Sequence, residues 1–441
     1  MSARLAPPPI EDAPCVAVYR DLRAGVPRHS AQIGHGYNLY PTTPEVHRFL
    51  QRALAHCAAG GRLHEYGTDA DGHDRALAAT LAGAYLGLDL DADQIAFTAG
   101  ATEGIGLVAR FLASCDAGLL LPAPCYYAFE QTPRRWGGTI VGRYRADGTV
   151  HPTGAAATHT ALVEIFPNGV TGTLFRPPAT APDFRVVDVV FLAGGRGPDL
   201  VADQVRAAVA DGIADTAVLM TPSKDLCIPG IRPGLLISGH APLVAAVRDD
   251  VLDRIASSSP LSGQLVLLYL AVLLIAQEVR AGRRGNVTAR YRWLRQQYLR
   301  HHVPTMPALN DLQVIAAHLD AMADHFTTAF DLLHYHATDL LGLGDQPPPV
   351  AGYSLLAAVT RGPELAEDVI RWVNTVGQRH CLKLNPSYLF GGTAASWQAL
   401  YPGPARIRVN LSVPHRDLLT TLDLLRHARQ DLLTLDQLGA Q

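Results

Sequence analysis

The most constraining feature of the chain is a strand that empties into a turn. Thr216 to Met220 is an apolar run of strand length. It leads without a break into Thr221-Pro-Ser-Lys-Asp-Leu-Cys-Ile-Pro-Gly-Ile-Arg-Pro-Gly234. Lys224 therefore stands on a turn at the end of a buried strand, with Gly230, Arg232 and Gly234 behind it. A lysine amine is a nucleophile only when it can lose its proton near neutral pH, and an apolar or cationic setting brings that about. An arginine fork donates two parallel hydrogen bonds to a phosphate. Gly230 and Gly234 admit backbone angles, or a close approach, that a side chain would block. The plain alternative is a solvated lysine and a solvated arginine on one loop, and the rest of the chain decides between the two.

The block from Ser223 to Gly234 resembles the lysine motif of the fold-type I pyridoxal-phosphate (PLP) enzymes, the aminotransferase class I/II superfamily. In that family the lysine forms a Schiff base with PLP and the downstream arginine clamps the cofactor phosphate. Other segments fall in the family's order. Between a strand at Gln94–Thr98 and a helix at Ile105–Leu112 lies Ala99-Gly100-Ala101-Thr102-Glu103-Gly104. Small residues before a helix leave free N–H groups and a dipole that favour an anion. The resemblance implies a phosphate cup there, using the amides of Ala101 and Thr102. It places Tyr126 on the pyridine ring, with Tyr127 as the competing assignment. Thr221, at the head of the lysine turn, counts among the cofactor contacts. Tyr66 is expected to cross a dimer interface to the partner's cofactor phosphate.

Asp188 is a lone carboxylate in the apolar strand Arg185–Phe191. Such an acid is costly unless paired. A protonated pyridine nitrogen is a suitable partner, and the pairing keeps the ring an electron sink. Two positions depart from the family. The asparagine that donates to the phenolic oxygen of PLP falls in register on Gly169, with Asn168 one position early as its substitute. The tyrosine that serves the same oxygen is Phe191 here, which cannot donate. The expectation is an enzyme that tunes its Schiff base differently from an ordinary transaminase.

On the substrate side, Ile33 to Pro41 resembles the segment that opens these enzymes, with Asn38 and Tyr40 as contacts. Leu384 to Gly392 takes the place of the pocket-closing loop. Arg406-Ile-Arg408-Val-Asn410 resembles the late arginine strand, especially its cystathionine-lyase-like version. Arg408 is read as the bidentate ligand of the substrate carboxylate, with Arg406 as the rival register and a structural ion pair as the plain reading. Arg280 to Arg300 carries seven arginines among Tyr291, Trp293 and Tyr298. It reads as a solvated helix with an aromatic stripe, or as a site for an anionic substrate tail.

Length and composition set the bounds. At 441 residues and 48% hydrophobic, the chain is large enough for two domains. A net charge of −3 gives no reason to expect nucleic acid. The six cysteines are scattered with no CxxC pair, which argues for neither a disulfide framework nor a zinc site and fits a reducing cytoplasm. Met1 to Pro9 has no apolar signal core. The longest apolar run, Leu265 to Ala276, is shorter than the ~20 residues that span a bilayer and reads as a buried helix.

The resemblance runs from about Ile33 to Pro414. It implies an α/β fold: a mostly parallel, seven-stranded-type sheet with helices on both faces, plus a smaller α/β domain from both chain termini. Residues 1–40 are read as an arm and part of the small domain, 41–275 as the large PLP-binding domain, and 276–441 as the small domain with a helical insertion. A cytoplasmic homodimer with the site at its interface is implied. The implied activity is a PLP-dependent transformation of an α-amino acid through an α-carbanion. Amino-group transfer is the first expectation. β- or γ-elimination, replacement or cyclisation is the second, and a non-catalytic PLP-binding paralogue the third.

Overall fold

The computed structural model describes residues 31–34, 36–64, 71–189, 191–195, 197–255, 259–343, 349–360, 366–392, 394–404 and 406–438. A short strand β1 (Ala31–Gln32) opens them. Eight strands then form the main sheet: β2 (Ile95–Ala99), β3 (Ala117–Pro122), β4 (Ile140–Tyr144), β5 (Val150–Pro152), β6 (His159–Ile165), β7 (Phe184–Val189), β8 (Thr216–Met220) and β9 (Pro233–Ser238). Their order is β2-β9-β8-β7-β6-β3-β4-β5. Strands β8, β7, β6, β3 and β4 are parallel neighbours, β9 is antiparallel to both β8 and β2, and β5 is antiparallel to β4.

The sheet has one strand more than the sequence led us to expect. β5 returns from β4 through a turn in which Gly148 has φ +86° and the Asp147 carboxylate accepts from Thr149 N. A three-residue edge strand ending in proline leaves no alternation to read.

Both faces of the sheet are covered, which explains the unbroken apolar strands. All five residues of β8 are buried. Val218 and Met220 pack into one core cluster, Ala217 and Leu219 into the other. The helix Pro260–Arg280 belongs to the first cluster and is buried continuously from Ser262 to Ala276. By length and composition it could cross a membrane. Here it packs between the helices Asp71–Leu86 and Leu309–His336, so its apolar surface is used in the core.

The arginine-rich segment is broken where one helix was expected. The chain turns at Ala281–Arg283, with Gly282 at φ +66°, and resumes as a helix over Arg284–Arg300. Leu294 and Tyr298 are buried. Arg280 bonds Asp320 Oδ1 at 2.9 Å, and Arg290 reaches Glu278. Both contacts pair an arginine with a carboxylate of the same chain.

A second, three-stranded antiparallel sheet has the order β10 (Leu341–Gly342), β11 (Ser354–Val359), β13 (Arg406–Asn410). Beside it β1 pairs in parallel with β12 (Leu382–Lys383), so an early and a late segment of the chain meet there. The loop leaving β7 touches the approach to β11 closely: a Cβ on Gly195 would lie 2.2 Å from Ala351 Cα. Gly195→Ala is therefore expected to cost about 1–3 kcal/mol. The readout is a lower urea midpoint at unchanged slope. An unchanged midpoint would mean that these backbones do not meet as described.

Candidate active site

A cavity of about 1060 Å³ opens beyond the C-terminal ends of the parallel strands, where open α/β sheets hold their ligands. β2 leads into Ala101 and Thr102, β3 into Tyr126, β7 brings Asp188, and β8 brings Thr221 and Lys224; all of them line it. Arg232 and Arg408 complete the expected set in its walls.

Asp188 sits near the end of β7, bonded through its backbone between β6 and β8. Its side chain is buried, and Oδ1 has no hydrogen-bond partner among the described residues. Burial pushes its pKa up to about 7, against the opposing pull of the Lys224 charge. Lys224 is half-buried and its amine reaches the cavity. Burial above all, and then the Arg408 and Arg232 charges, bring its pKa down to about 7, with Asp188 and Cys227 acting the other way. Its Nζ donates to the Gly36 carbonyl at 2.6 Å.

The lysine turn is held in a strained shape. Thr221 Oγ1 donates to Pro233 O at 2.6 Å and accepts from Ser223 N at 3.2 Å, tying the start of the turn to its end. Thr221 thus lines the cavity with its hydroxyl already committed to the backbone. Arg232 has φ +60° and Cys227 φ +56°, a region that costs a non-glycine residue about 1–3 kcal/mol and gathers at functional sites.

The backbone shape aims Arg232 at the start of the helix Ala101–Ser114. Its Nη2 lies 3.4 Å from Thr102 Oγ1, and a Cβ on Gly100 would sit 2.6 Å from the same nitrogen. Thr102 Oγ1 also lies 3.4 Å from the Tyr126 hydroxyl. A guanidinium, a hydroxyl and the open N–H groups of a helix start converge there. The residues fit PLP: this cradle would take its phosphate, the unpartnered Asp188 oxygen its pyridine nitrogen, and the Lys224 amine its aldehyde. Tyr127 shares the wall, with its ring centroid 4.5 Å from that of Tyr126.

Three expected contacts lie outside the cavity wall. Asn168 is buried, with Nδ2 on Pro124 O at 2.6 Å and Oδ1 accepting from Val170 N and Thr171 N. It builds the turn, and Gly169 faces the cavity in its place. Asn38 supports Lys224 from behind, donating to its carbonyl at 2.9 Å. Tyr40 packs its ring against His318 and His325, with centroids 5.1 Å from each. In that segment Gly36 and Tyr37 line the cavity instead. Tyr66 lies outside the described residues.

Arg408 is buried, and its Nε and Nη2 both donate to Gly34 O, at 3.2 and 2.7 Å. The rival Arg406 lies outside the cavity wall, near the Tyr401 ring. Asn385, Leu389 and Phe390 of the expected closing loop line the cavity, and the Arg408 guanidinium lies 4.7 Å from the Phe390 ring centroid. Sequence reasoning missed Tyr353 and Lys383 in the wall. Tyr353 meets Phe191 edge-on at 5.1 Å and donates to Gly36 O at 3.0 Å. No spacing in the chain links either residue to Lys224.

No protein-family model matches the chain. Two rice proteins match part of it. 1-Aminocyclopropane-1-carboxylate synthase 5 of Oryza sativa subsp. japonica is 30% identical over 210 residues, 42% of this chain and 38% of that protein. Synthase 4 is 29% identical over 222 residues, 42% and 44% of the two chains. The match thus spans less than half the length of these curated relatives.

Solved structures match along nearly all of the chain. A double mutant of Thermus thermophilus aspartate aminotransferase has a TM-score of 0.62 at 15% identity, covering 97% of this chain and 99% of its own. Escherichia coli YbdL, described as having a methionine aminotransferase function, has 0.63 at 16%, covering 96% and 100%. A Methanococcus jannaschii protein, described as similar in its active site to kynurenine aminotransferases, has 0.64 at 14%, covering 97% and 100%. At these identities the likeness is one of fold. The chain has the aminotransferase fold, PLP fold type I.

The raised Asp188 pKa makes a signed prediction for the ligand-free protein. With an ordinary value of 3.8 and a folded value of about 7, the native state holds the extra proton between those limits. Stability from this group therefore falls as pH rises from about 4 to 7. Asp188→Asn removes that slope. Its melting temperature should exceed the parent's at pH 7.5, and the gap should close near pH 4. A gap of constant size across the range would count against the assignment.

Proposed function

We propose that this chain is a PLP-dependent enzyme acting on an α-amino acid, with Lys224 moving the proton of the α-carbon. The observation that carries the reading is the pair inside the cavity: a buried carboxylate with one unpartnered oxygen, and an amine whose pKa is drawn down to about 7. When bound, the cofactor supplies an aldehyde that condenses with amines and a pyridine ring that takes up the electrons of the carbon losing its proton. Asp188 would hold the ring nitrogen. Arg232, Thr102 and the helix start at Ala101 would hold the phosphate, and Tyr126 the ring face. Arg408 would orient the substrate carboxylate by exchanging the neutral Gly34 carbonyl for a charge-assisted, bidentate partner. With its pKa near 7, Lys224 Nζ can accept a proton and return it at neutral pH.

Once the α-proton has left, amino-group transfer is the first reading of the remaining chemistry. Elimination or ring closure is the second. Two observations support that second reading: Gly169 and Phe191 bring no side-chain donor to their part of the cavity wall, and the partial matches are to synthases of 1-aminocyclopropane-1-carboxylate. A homodimer belongs to the same proposal. Tyr127 and Trp136 line the outer part of the cavity while 39% and 48% exposed, an aromatic surface that a second copy would cover.

Purified protein mixed with PLP should develop a visible absorbance band, and borohydride should fix the cofactor mass on the peptide containing Lys224. Lys224→Ala should abolish both, and Arg232→Ala should weaken PLP binding at least tenfold. Because the neutral amine is the reacting form, capture should speed up as pH rises through about 7, running about tenfold below its plateau at pH 6. A protein that stays colourless with PLP sinks the reading. Product analysis with amino acids separates the branches: a keto acid without released ammonia means transfer, while a keto acid with ammonia, or a cyclised product, means the second reading. Light scattering at twice the 47.2 kDa chain mass is the expected result for the dimer.

A further inference from the structure

Asp225 follows Lys224 directly, yet it takes no part in the cavity wall. Its side chain is 0% exposed. A buried carboxylate is tolerated only when hydrogen bonds fill its lone pairs. Oδ2 accepts from Leu192 N and Ala193 N at 3.0 Å each and from the Tyr269 hydroxyl at 2.5 Å; Oδ1 accepts from Gly194 N at 3.0 Å. Three successive amides closing on one anion form a nest. The fit depends on Gly194, where a Cβ would lie 3.0 Å from Asp225 Oδ1 and 2.5 Å from Met322 Cε. Arg280 braces the far side by donating to Ala193 O at 3.0 Å.

The nest sits where β7 leaves the sheet. Asp188 lies in β7 and Phe191 in the cavity wall, and residues 192–194 follow at once. The ladder between β7 and β8 ends at Val189 and Met220. Beyond that pair the two chains are tied again by the Asp225 bonds, one peptide from Lys224. We infer that Asp225 is a positioning residue: seated on the 192–194 amides, it fixes the Lys224 amine relative to the Asp188 carboxylate across the cavity. Misplacing a reacting group by 1 Å costs on the order of 10²-fold in rate, so an anchor this close to the amine controls its reactivity. The inference rests on the PLP reading of the cavity.

The test monitors formation of the visible band by stopped flow in the full chain with PLP, together with melting temperature. Asp225→Asn turns one acceptor into an amide NH₂ facing backbone N–H groups. Asp225→Glu keeps the charge but is a methylene too long for the nest. Both should slow PLP capture at least tenfold and move its pH midpoint by half a unit or more, a shift that looser packing alone does not produce. Tyr269→Phe removes one of four donors and should slow capture two- to fivefold, and it decides the matter if the Asp225 variants do not fold.

Parental capture rates and pH midpoints in folded variants overturn the inference. So does a slow Asp225→Asn beside a parental Asp225→Glu, since charge rather than placement would then be at work. If the parent forms no band, the PLP reading itself has failed and the inference falls with it.

Discussion

The physical constraint behind the rest of the structure is the desolvation of two opposite charges that do not fully satisfy each other. Asp188 and Lys224 line one cavity, and each opposes the shift that burial imposes on the other. Neither is relieved: one Asp188 oxygen has no partner among the described residues, and the Lys224 amine rests on a neutral carbonyl. A chain selected for stability alone would replace such a pair with apolar residues at little cost or even a gain. Both pKa values near 7 mean that a proton moves on or off either group easily at neutral pH.

Holding these two groups in place requires a rigid floor, and the parallel sheet provides it. Strands buried on both faces bring Asp188, Thr221, Lys224, Tyr126 and the Ala101 helix start to one edge. The same floor accommodates strain. Arg232 and Cys227 adopt left-handed angles inside one turn, and Thr221 closes that turn across twelve residues. Without the tie between Thr221 and Pro233 the turn could relax, and Arg232 would no longer be held against Gly100.

Much of this was legible in the sequence because it is local. β8 and the turn behind it are contiguous, and continuous apolar runs such as 216–220 and 265–276 read as buried elements. The edge strand β5 was missed, since three residues bounded by a glycine turn and a proline carry no period. The break at Gly282 was missed because one glycine in an arginine-rich helical pattern changes the pattern little.

The site was legible by residue type but not by the availability of atoms. Asn168, Asn38 and Tyr40 were read as contacts from their place in the resemblance. Backbone groups had the prior claim. Asn168 spends both ends of its amide on three main-chain partners, and Asn38 spends its own on Lys224 O and Tyr40 N. Buried main-chain groups must be paired somewhere, and asparagine in a turn is the residue best shaped to pair them. These two asparagines beside the site are thus its scaffold. Tyr353 makes the converse case: it entered the wall from 129 positions beyond Lys224 through the pairing of β11 with β13, a contact that only tertiary structure creates.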